Sequence, residues 1–305
     1  MEKVIVIGGN GFIGRRLCDC LVKTGYDVYS LDIREPEKKS DSVHYIIGDF
    51  FDDVYLKEII EDKDIIYHAI STIQPGNSNE KYMSGYNRDM IESIRLFSFL
   101  LGTPKRLIFL SSGGTVYGNQ TVQPIREDVS AQPINHYGNV KLCIENTIRV
   151  FNRQMHSKML IARISNPYGP GQDFHKGVGF IDAALKSVLL RQPLQIWGNG
   201  ENVRDYIYID DVCQMLTALA TYQGEQEVFN LSSGSGTSQN DIVEIVKRLC
   251  GELQVDYTAA RSVDASRIIL DNSRIRRVYQ GELVSLEAGI NKTWEYLLKQ
   301  KDQMR

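Results

Sequence analysis

A tyrosine and a lysine stand four residues apart in segment 135–141, Asn-His-Tyr-Gly-Asn-Val-Lys, as Tyr137 and Lys141. On a helix, both side chains point from one face. A tyrosine phenol normally has a pKa of about 10, and a nearby cation favours its ionised form, so the pair can act as a general base. Exposed Tyr–Lys pairs are common and usually inert, so the interpretation depends on their surroundings. Of the 16 tyrosines, however, only Tyr137 has a lysine four positions later.

The pair follows a strand that ends in small polar residues. Residues 107–110 form a continuous apolar run, which indicates a strand buried on both faces. The Ser-Ser-Gly-Gly-Thr of residues 111–115 ends that strand and exposes backbone groups and hydroxyls at its carboxyl edge, where open parallel sheets bind ligands. This position favours a catalytic Tyr–Lys pair over an inert one.

A glycine-rich loop lies near the start of the chain. The apolar strand 4–7 is followed by Gly-Gly-Asn-Gly-Phe-Ile-Gly at 8–14 and then by a helical pattern at 15–23. Glycine lets the backbone turn tightly and approach a pyrophosphate, which then lies on the helix N-terminus. A glycine triplet alone could be a mere tight turn, but the order strand, glycines, helix is typical of a dinucleotide site. We expect this site to be formed by Gly8, Gly11, Phe12, Ile13 and Gly14.

A second strand, residues 27–31, ends in an acid that bears on the choice of cofactor. Asp32 is placed to accept hydrogen bonds from the adenosine ribose, and its carboxylate repels the 2′-phosphate of NADP, so the sequence predicts NAD. Arg34 supports the alternative, because a nearby arginine can accommodate that phosphate. Further cofactor contacts are expected from Asp49 at the adenine amino group, Phe50 at the adenine ring, Ala69 at a later strand end, and Asn87 in the helical segment 79–101.

Strands and helices alternate through residues 1–168, which predicts a right-handed parallel sheet with helices on both faces. The fold class is therefore α/β, with a Rossmann-type doubly wound sheet. A Pro/Gly-rich break at 164–171, directly after the apolar strand 159–163, marks where the chain leaves this cofactor domain. We expect residues 169–305 to form a smaller α/β substrate domain, from which a strand and a helix near 204–222 return to the first domain.

Two features bear on what the protein binds. Arg204 precedes an alternating strand, and a guanidinium there can clamp a diphosphate bidentately. Arg261 lies in a loop between weak strands and is assigned to the same anionic substrate, with ordinary surface salt bridging as its alternative. Segment 85–101 and the helix that begins at Tyr137 either bury an exposed face against a second subunit, giving a homodimer, or simply pack on the sheet.

The composition is that of an ordinary globular protein of 305 residues, with 42% hydrophobic and 24% charged residues. A formal charge of −3 argues against a nucleic-acid or anionic-membrane surface. No apolar run approaches the ~20 residues that a membrane span needs, and we expect no cleavable signal peptide before the first strand. Five cysteines without a C-x-x-C fit a reducing cytoplasm and suggest no metal site.

With these residues in view, the sequence resembles the extended short-chain dehydrogenase/reductase family, specifically its sugar-nucleotide epimerase/dehydratase branch, and there the UDP-glucose 4-epimerases. The resemblance runs from Gly8 to about Asp271. Its most specific motifs are GGNGFIG, SSGGTVYG, YGNVK, SNPYGPGQ and VRDYIYIDD. The resemblance implies that Tyr137 is the catalytic base and that Lys141 binds the nicotinamide ribose and lowers the tyrosine pKa. It also implies that Asn166 contacts the nucleotide sugar and that Arg204 and Arg261 bind its diphosphate.

The sequence departs from this family at the catalytic hydroxyl. The family usually places a catalytic Ser or Thr four residues before the Tyr-Gly pair, where this chain has Gly113. Thr115 is the first candidate for the hydroxyl that shares the O4 proton of the substrate. Ser112 is the second, because strand alternation should turn it to the opposite side. Ile73 stands where these epimerases often carry a lysine, five residues after a strand-end histidine.

The same stretch separates the possible reactions. Related 4,6-dehydratases carry Asp-Glu, and related decarboxylases Ser-Glu, where this chain has Gly114 and Thr115. The resemblance therefore implies reversible hydride transfer at carbon 4 of a UDP-sugar, with tightly held NAD and a transient 4-keto intermediate. Two alternatives remain: an NADP-dependent 4-keto-sugar reductase, which only Arg34 supports, and a non-catalytic NAD-binding sensor, which has no need of Tyr137 and Lys141 together.

Overall fold

The computed structural model describes residues 1–172, 179–259 and 265–301. Their strands, in chain order, are β1 (Lys3–Ile7), β2 (Asp27–Asp32), β3 (Val43–Ile47), β4 (Ile65–His68), β5 (Arg106–Ser112), β6 (Met159–Ile164), β7 (Asn166–Tyr168), β8 (Leu194–Trp197), β9 (Val203–Arg204), β10 (Tyr206–Tyr208), β11 (Val228–Leu231), β12 (Thr237–Ser238), β13 (Val255–Thr258) and β14 (Arg267–Ile268).

Their helices are α1 (Phe12–Lys23), α2 (Asp53–Ile60), α3 (Tyr82–Ser84), α4 (Ile91–Leu100), α5 (Gly113–Val116), α6 (His136–Met155), α7 (Phe180–Leu190), α8 (Ile209–Ala220), α9 (Gln239–Cys250), α10 (Ser273–Arg276) and α11 (Leu286–Lys301). A π-helical segment, Gly85–Met90, joins α3 to α4. Within the described ranges, we find no helix whose length and apolarity would let it cross a lipid bilayer.

Seven parallel strands form the central sheet, in the order β11–β6–β5–β4–β1–β2–β3. The apolar run of β1 explains its central place, because successive side chains of a strand point to opposite faces. Val4 and Val6 enter one hydrophobic core, with α1 and α8, and Ile5 and Ile7 enter the other, with α2, α4 and α6. Both faces of the sheet are therefore covered by helices, and the predicted doubly wound α/β fold is confirmed.

The second half of the chain adds three small sheets and returns once to the central one. Strands β7 and β10 pair, β9 lies between β12 and β14, and β8 pairs with β13. Helix α8 packs on α1, where Arg16 and Asp210 form a salt bridge with a second hydrogen bond of 2.8 Å. The strand that rejoins the central sheet is β11, beyond the predicted range of 204–222, because β10 pairs with β7 instead.

Candidate active site

A cavity of about 520 Å³ opens between the carboxyl edge of the central sheet and the second half of the chain. The loop after β1, the ends of β5 and β6, the start of α6 and strand β9 all contribute to its wall. The predicted site residues that line it are Gly8, Gly11, Phe12, Ile13, Gly14, Ala69, Ser112, Thr115, Tyr137, Asn166 and Arg204. Within the described residues, no His, Cys, Asp and Glu side chains gather as a metal site.

The glycine-rich loop has the shape that a pyrophosphate needs. Gly8 has a φ of 87°, which favours glycine, and a β-carbon on Gly14 would overlap the carbonyl oxygen of Gly8. Helix α1 begins directly after Gly11, which provides no side-chain cap for the first backbone N–H groups. These N–H groups and the close backbone approach fit the diphosphate of a dinucleotide.

Asp32 lies at the end of β2, buried under the same loop. Its Oδ2 accepts a hydrogen bond from the backbone N–H of Asn10 at 3.2 Å, and its Oδ1 accepts one from that of Arg34 at 3.1 Å. The guanidinium of Arg34 lies on the surface with its Nε 3.8 Å from Asp32 Oδ1. The acid therefore stands where a ribose is expected, while Arg34 remains exposed beside it.

The two residues predicted at the adenine differ in their exposure. Asp49 is exposed, and its Oδ1 accepts a hydrogen bond from the backbone N–H of Phe51 at 3.0 Å, so its adenine contact stays a prediction. Phe50 is only 1% exposed, with its ring centroid 5.2 Å from that of Phe51 and 5.0 Å from that of His68. Its ring belongs to the core and has no face for an adenine, which corrects the predicted ring contact.

The cofactor contact predicted for Asn87 stays a prediction. This residue is exposed on the π-helical segment and does not line the cavity. Asp89, two positions later, points inward instead, because positions two apart on a helix lie on different faces. Its carboxylate is 3% exposed and accepts hydrogen bonds from the hydroxyl of Ser71 at 2.7 Å and from the backbone N–H of Thr72 at 2.8 Å.

Tyr137 and Lys141 lie on one face of α6, which begins where the side chain of Asn135 accepts a hydrogen bond from Gly138 N–H at 2.8 Å. The ammonium of Lys141 is buried, donates to the carbonyl of Leu110 at 3.1 Å, and lies 5.8 Å from the centroid of the Tyr137 ring. The residues thus meet at the end of β5, as their spacing predicted.

Burial dominates the acidity of this pair. It raises the pKa of Tyr137 to about 12, the charge of Asp89 adds to this effect, and a hydrogen bond from Ser112 opposes it. Burial also lowers the pKa of Lys141 to about 8, while the charges of Asp89 and Glu145 oppose that shift. The protein alone therefore does not produce the lowering of the tyrosine pKa that we expected. A cation bound beside the phenol favours its ionised form.

The two candidate hydroxyls, Ser112 and Thr115, both line the cavity, and the structure favours Ser112 as the partner of Tyr137. The Ser112 side chain lies close enough to Tyr137 to lower the pKa of the phenol, whereas the hydroxyl of Thr115 lies 3.5 Å from the carbonyl of Ser112. The predicted order depends on strand alternation, which stops here because β5 ends at Ser112 and α5 begins at Gly113. A β-carbon at Gly113 would overlap the side chain of Leu270, so position 113 faces a filled space.

The substrate-side residues lie where β7 meets β9 and β10. Asn166 donates through its side chain to the backbone carbonyl of Asp205 at 2.9 Å, and Arg204 lines the cavity from the adjacent position. Arg261, predicted at the same diphosphate, lies outside the described residues. Asn166 and Arg204 therefore contribute to the wall of the same cavity as the glycine-rich loop.

Sequence reasoning missed two buried acids, Asp89 and Asp205. Asp205 is 0% exposed and accepts from the backbone N–H groups of Ser233, Gly234 and Leu270 at 2.9, 3.1 and 3.3 Å. Burial raises its pKa to about 6. Its place beside Arg204 in a motif could have marked it as a positioning group, whereas nothing local marks Asp89.

A glycine-rich β–α–β unit, a Tyr–Lys pair at the same sheet edge and an arginine across the cavity define a dinucleotide-dependent enzyme. The family model described as "NAD dependent epimerase/dehydratase family" matches residues 4–232, and the chain belongs to this family. The cofactor of the family is NAD, and the glycine cradle and Asp32 fit it.

Three comparisons with known proteins agree with this membership. The chain is 26% identical to the UDP-glucose 4-epimerase of Mycolicibacterium smegmatis, covering 96% of this chain and 98% of that one. It is 29% identical to the dTDP-4-dehydro-6-deoxyglucose reductase of Escherichia coli, covering 95% of each. The crystal structure of the Thermotoga maritima UDP-glucose 4-epimerase with UDP-glucose has a TM-score of 0.91 and 30% identity, covering 98% of this chain and 99% of that one.

Proposed function

We propose that the protein is an NAD-dependent epimerase that inverts carbon 4 of a nucleotide-diphosphate sugar of the UDP-hexose type. The chemistry of the cavity wall carries this proposal. Among the described residues that line the cavity, Tyr137 and Arg204 are the only ones with ionisable side chains. One can move a proton and the other can hold an anion, which is what inversion through a 4-keto sugar requires.

Elimination and decarboxylation are disfavoured by the same wall. Removal of water across carbons 5 and 6 of the sugar needs an acid and a base of its own. Gly114 and Thr115, on the short helix α5, line the cavity, and neither has a carboxylate. Reversible hydride transfer at carbon 4 needs a single proton-transfer group beside a nicotinamide, and Tyr137 can serve as that group.

In the proposed reaction, Tyr137 accepts the proton of the 4-hydroxyl as carbon 4 loses its hydride. Bound NAD supplies the hydride acceptor. The Ser112 hydroxyl stabilises the phenolate by a hydrogen bond, and buried Lys141 adds positive charge behind it. Arg204 holds the diphosphate while the 4-keto sugar turns its other face to the cofactor. Hydride then returns to the opposite face of carbon 4 while Tyr137 gives its proton back to O4, and the product differs from the substrate only in configuration.

A second candidate is an NADP-dependent 4-keto-sugar reductase. The exposed guanidinium of Arg34 beside Asp32 supports it, and so does the similarity to the E. coli dTDP-4-dehydro-6-deoxyglucose reductase. The two activities differ in their demand for cofactor. An epimerase regenerates its bound cofactor in each turnover, whereas a reductase consumes one reduced cofactor for each product and must exchange it.

The experiment is turnover of UDP-glucose, UDP-N-acetylglucosamine and UDP-glucuronate by the purified protein without added nicotinamide, with the products identified by NMR. We expect at least one sugar to be inverted at carbon 4, and Tyr137→Phe to be slower by about 10²–10⁴. Consumption of a 4-keto sugar only with added NADPH would establish the reductase instead. Ligand binding without turnover under either condition, equal in Tyr137→Phe, would indicate the sensor.

We further propose that the protein is a cytoplasmic homodimer. Helices α4 and α6 pack against each other and leave apolar side chains on their outer face, with Ile91 38% and Val150 48% exposed. The five cysteines are free thiols, which suits a reducing compartment. Sedimentation should show a dimer, and Val150→Asp should shift it toward monomer. A monomeric wild type at micromolar concentration would contradict the proposed dimer.

A further inference from the structure

The carboxylate of Asp89 is buried next to the catalytic pair, and no step of the proposed reaction uses it. It accepts two hydrogen bonds from the backbone N–H of Thr72, at 2.8 and 3.0 Å, and one from the hydroxyl of Ser71 at 2.7 Å. Among the described residues, no cationic group lies within salt-bridge distance of it. No salt bridge among these residues therefore neutralises its negative charge, which acts on the neighbouring side chains of Tyr137 and Lys141.

The hydrogen bonds of Asp89 hold segment 69–73, which follows β4. Ala69, at the start of the segment, lines the cavity. The Ser71 hydroxyl, which donates to Asp89, also lies 2.9 Å from the Ile73 carbonyl, and the Thr72 hydroxyl lies 3.0 Å from that of Ser84. The segment is thus fixed at several points, and the carboxylate of Asp89 accepts hydrogen bonds from two of its residues, Ser71 and Thr72.

The charged and titratable groups around Tyr137 and Lys141 come from three elements. Asp89 faces both from the π-helical segment, and its charge raises both pKa values. Glu145 on α6 faces Lys141, but it is engaged by the guanidinium of Arg163 at 2.6 Å. His68, at the end of β4, is uncharged because burial lowers its pKa to about 3. Asp89 is thus the acid in this group whose charge is not balanced by a salt bridge.

We propose that Asp89 is a positioning residue that sets the acidity of Tyr137 by its charge and fixes segment 69–73 by its hydrogen bonds. A buried carboxylate opposes a neighbouring phenolate and stabilises a neighbouring cation. It therefore keeps the phenol protonated until a cation lies beside it. By the same Coulomb effect, it favours the oxidised, cationic form of a bound nicotinamide over the reduced, neutral form. The first effect rests on the proposed function, which takes Tyr137 as the base.

Asp89→Asn tests the charge, because an amide oxygen can still accept from Thr72 while the charge is lost. Asp89→Glu retains the charge, and Asp41→Asn removes an exposed acid with no role in the site as the matched control. Two readouts are followed on the protein as purified with its bound cofactor. One is the pH at which kcat is half-maximal on the acid side, and the other is the rate at which borohydride reduces the bound nicotinamide.

For Asp89→Asn we expect the acid-side midpoint of kcat to fall by about one pH unit and reduction by borohydride to become about tenfold faster. Asp89→Glu and Asp41→Asn should match the wild type in both readouts, even if Asp89→Glu is less stable. A midpoint and a reduction rate unchanged in Asp89→Asn would overturn the proposal and leave Asp89 a structural residue.

Borohydride reduction needs no sugar, so it separates this proposal from the proposed function. A wild type that turns over no nucleotide sugar would remove the epimerase proposal, while the reduction rates would still decide the role of the Asp89 charge. If Asp89→Asn does not fold, Asp89→Glu tests the role of the charge. A midpoint shifted by more than half a pH unit in that charge-retaining variant would contradict control by charge.

Discussion

Removing the hydroxyl of Ser112 should slow the reaction through its effect on the Tyr137 phenolate. Burial raises the pKa of Tyr137 to about 12, and the hydrogen bond from Ser112 acts against it. A hydrogen bond to a charged group contributes about 1.5–3 kcal/mol, which corresponds to roughly one to two pKa units at 1.36 kcal/mol per unit. Ser112→Ala should therefore lower kcat by about 10- to 100-fold at neutral pH.

The assay compares Ser112→Ala with Thr115→Val under saturating UDP-sugar. Thr115 lines the same cavity, and its hydroxyl is 3.5 Å from the carbonyl of Ser112, so valine removes one weak contact at similar volume. We expect Thr115→Val to retain kcat within about threefold, since that hydroxyl makes no hydrogen bond to Tyr137 in this structure. Thermal melting of both variants serves as the control for folding.

Two results would refute this reasoning. If Thr115→Val lost about 100-fold while Ser112→Ala stayed within threefold, Thr115 would be the hydroxyl that shares the O4 proton, as the sequence first suggested. If both variants remained fully active, Tyr137 would handle that proton without help. The pH dependence separates these cases, because loss of the Ser112 hydrogen bond should move the acid-side midpoint of kcat upward.

Three further predictions concern the scaffold. Gly14→Ala places a β-carbon on the Gly8 carbonyl and should cost about 1–3 kcal/mol and most of the NAD affinity by calorimetry, whereas Gly76→Ala, where nothing lies within 4 Å, should leave NAD affinity unchanged. Asp205→Asn turns an amide toward backbone N–H donors and should cost about 2–4 kcal/mol in denaturant unfolding; a loss under 0.5 kcal/mol would contradict this. Burial lowers the pKa of Lys141 from its ordinary 10.5 to about 8. The buried charge therefore destabilises the folded state fully below pH 8, and this destabilisation disappears as pH rises to about 10.5. Lys141→Met should thus be more stable than wild type by about 1–3 kcal/mol at pH 7, with the difference shrinking above pH 8; a pH-independent difference would argue against a buried charge.

The parts of the fold that depend on local pattern could be predicted from the sequence. The apolar run of β1, the glycines after it and the four-residue spacing of Tyr137 and Lys141 each specify a local geometry, and the parallel sheet then brings their ends to one edge. The return of β11 to the sheet could not be predicted in this way. Its position depends on pairing with β6, about 65 residues earlier in the chain.

The errors at the site arose where the direction of a side chain depends on a change of local structure. The side to which Ser112 points could not be predicted by strand alternation, because a helical turn begins at Gly113. Phe50 was assigned to the adenine ring, although its own ring packs in the core. Asp89 was not singled out, because its hydrogen-bond partner Thr72 lies on another element. Each outcome is decided by tertiary contacts that no local spacing contains.

The central claim is that hydride leaves carbon 4 of a UDP-sugar and returns to the same carbon on its other face without leaving the protein. The most direct measurement uses UDP-hexose deuterated at carbon 4, with unlabelled NADH in the solvent, and follows the label by NMR and mass spectrometry. The account predicts that the product retains its deuterium at carbon 4 with inverted configuration and that none appears in the free cofactor. Loss of deuterium to solvent or to free cofactor, or inversion at another carbon, would contradict it.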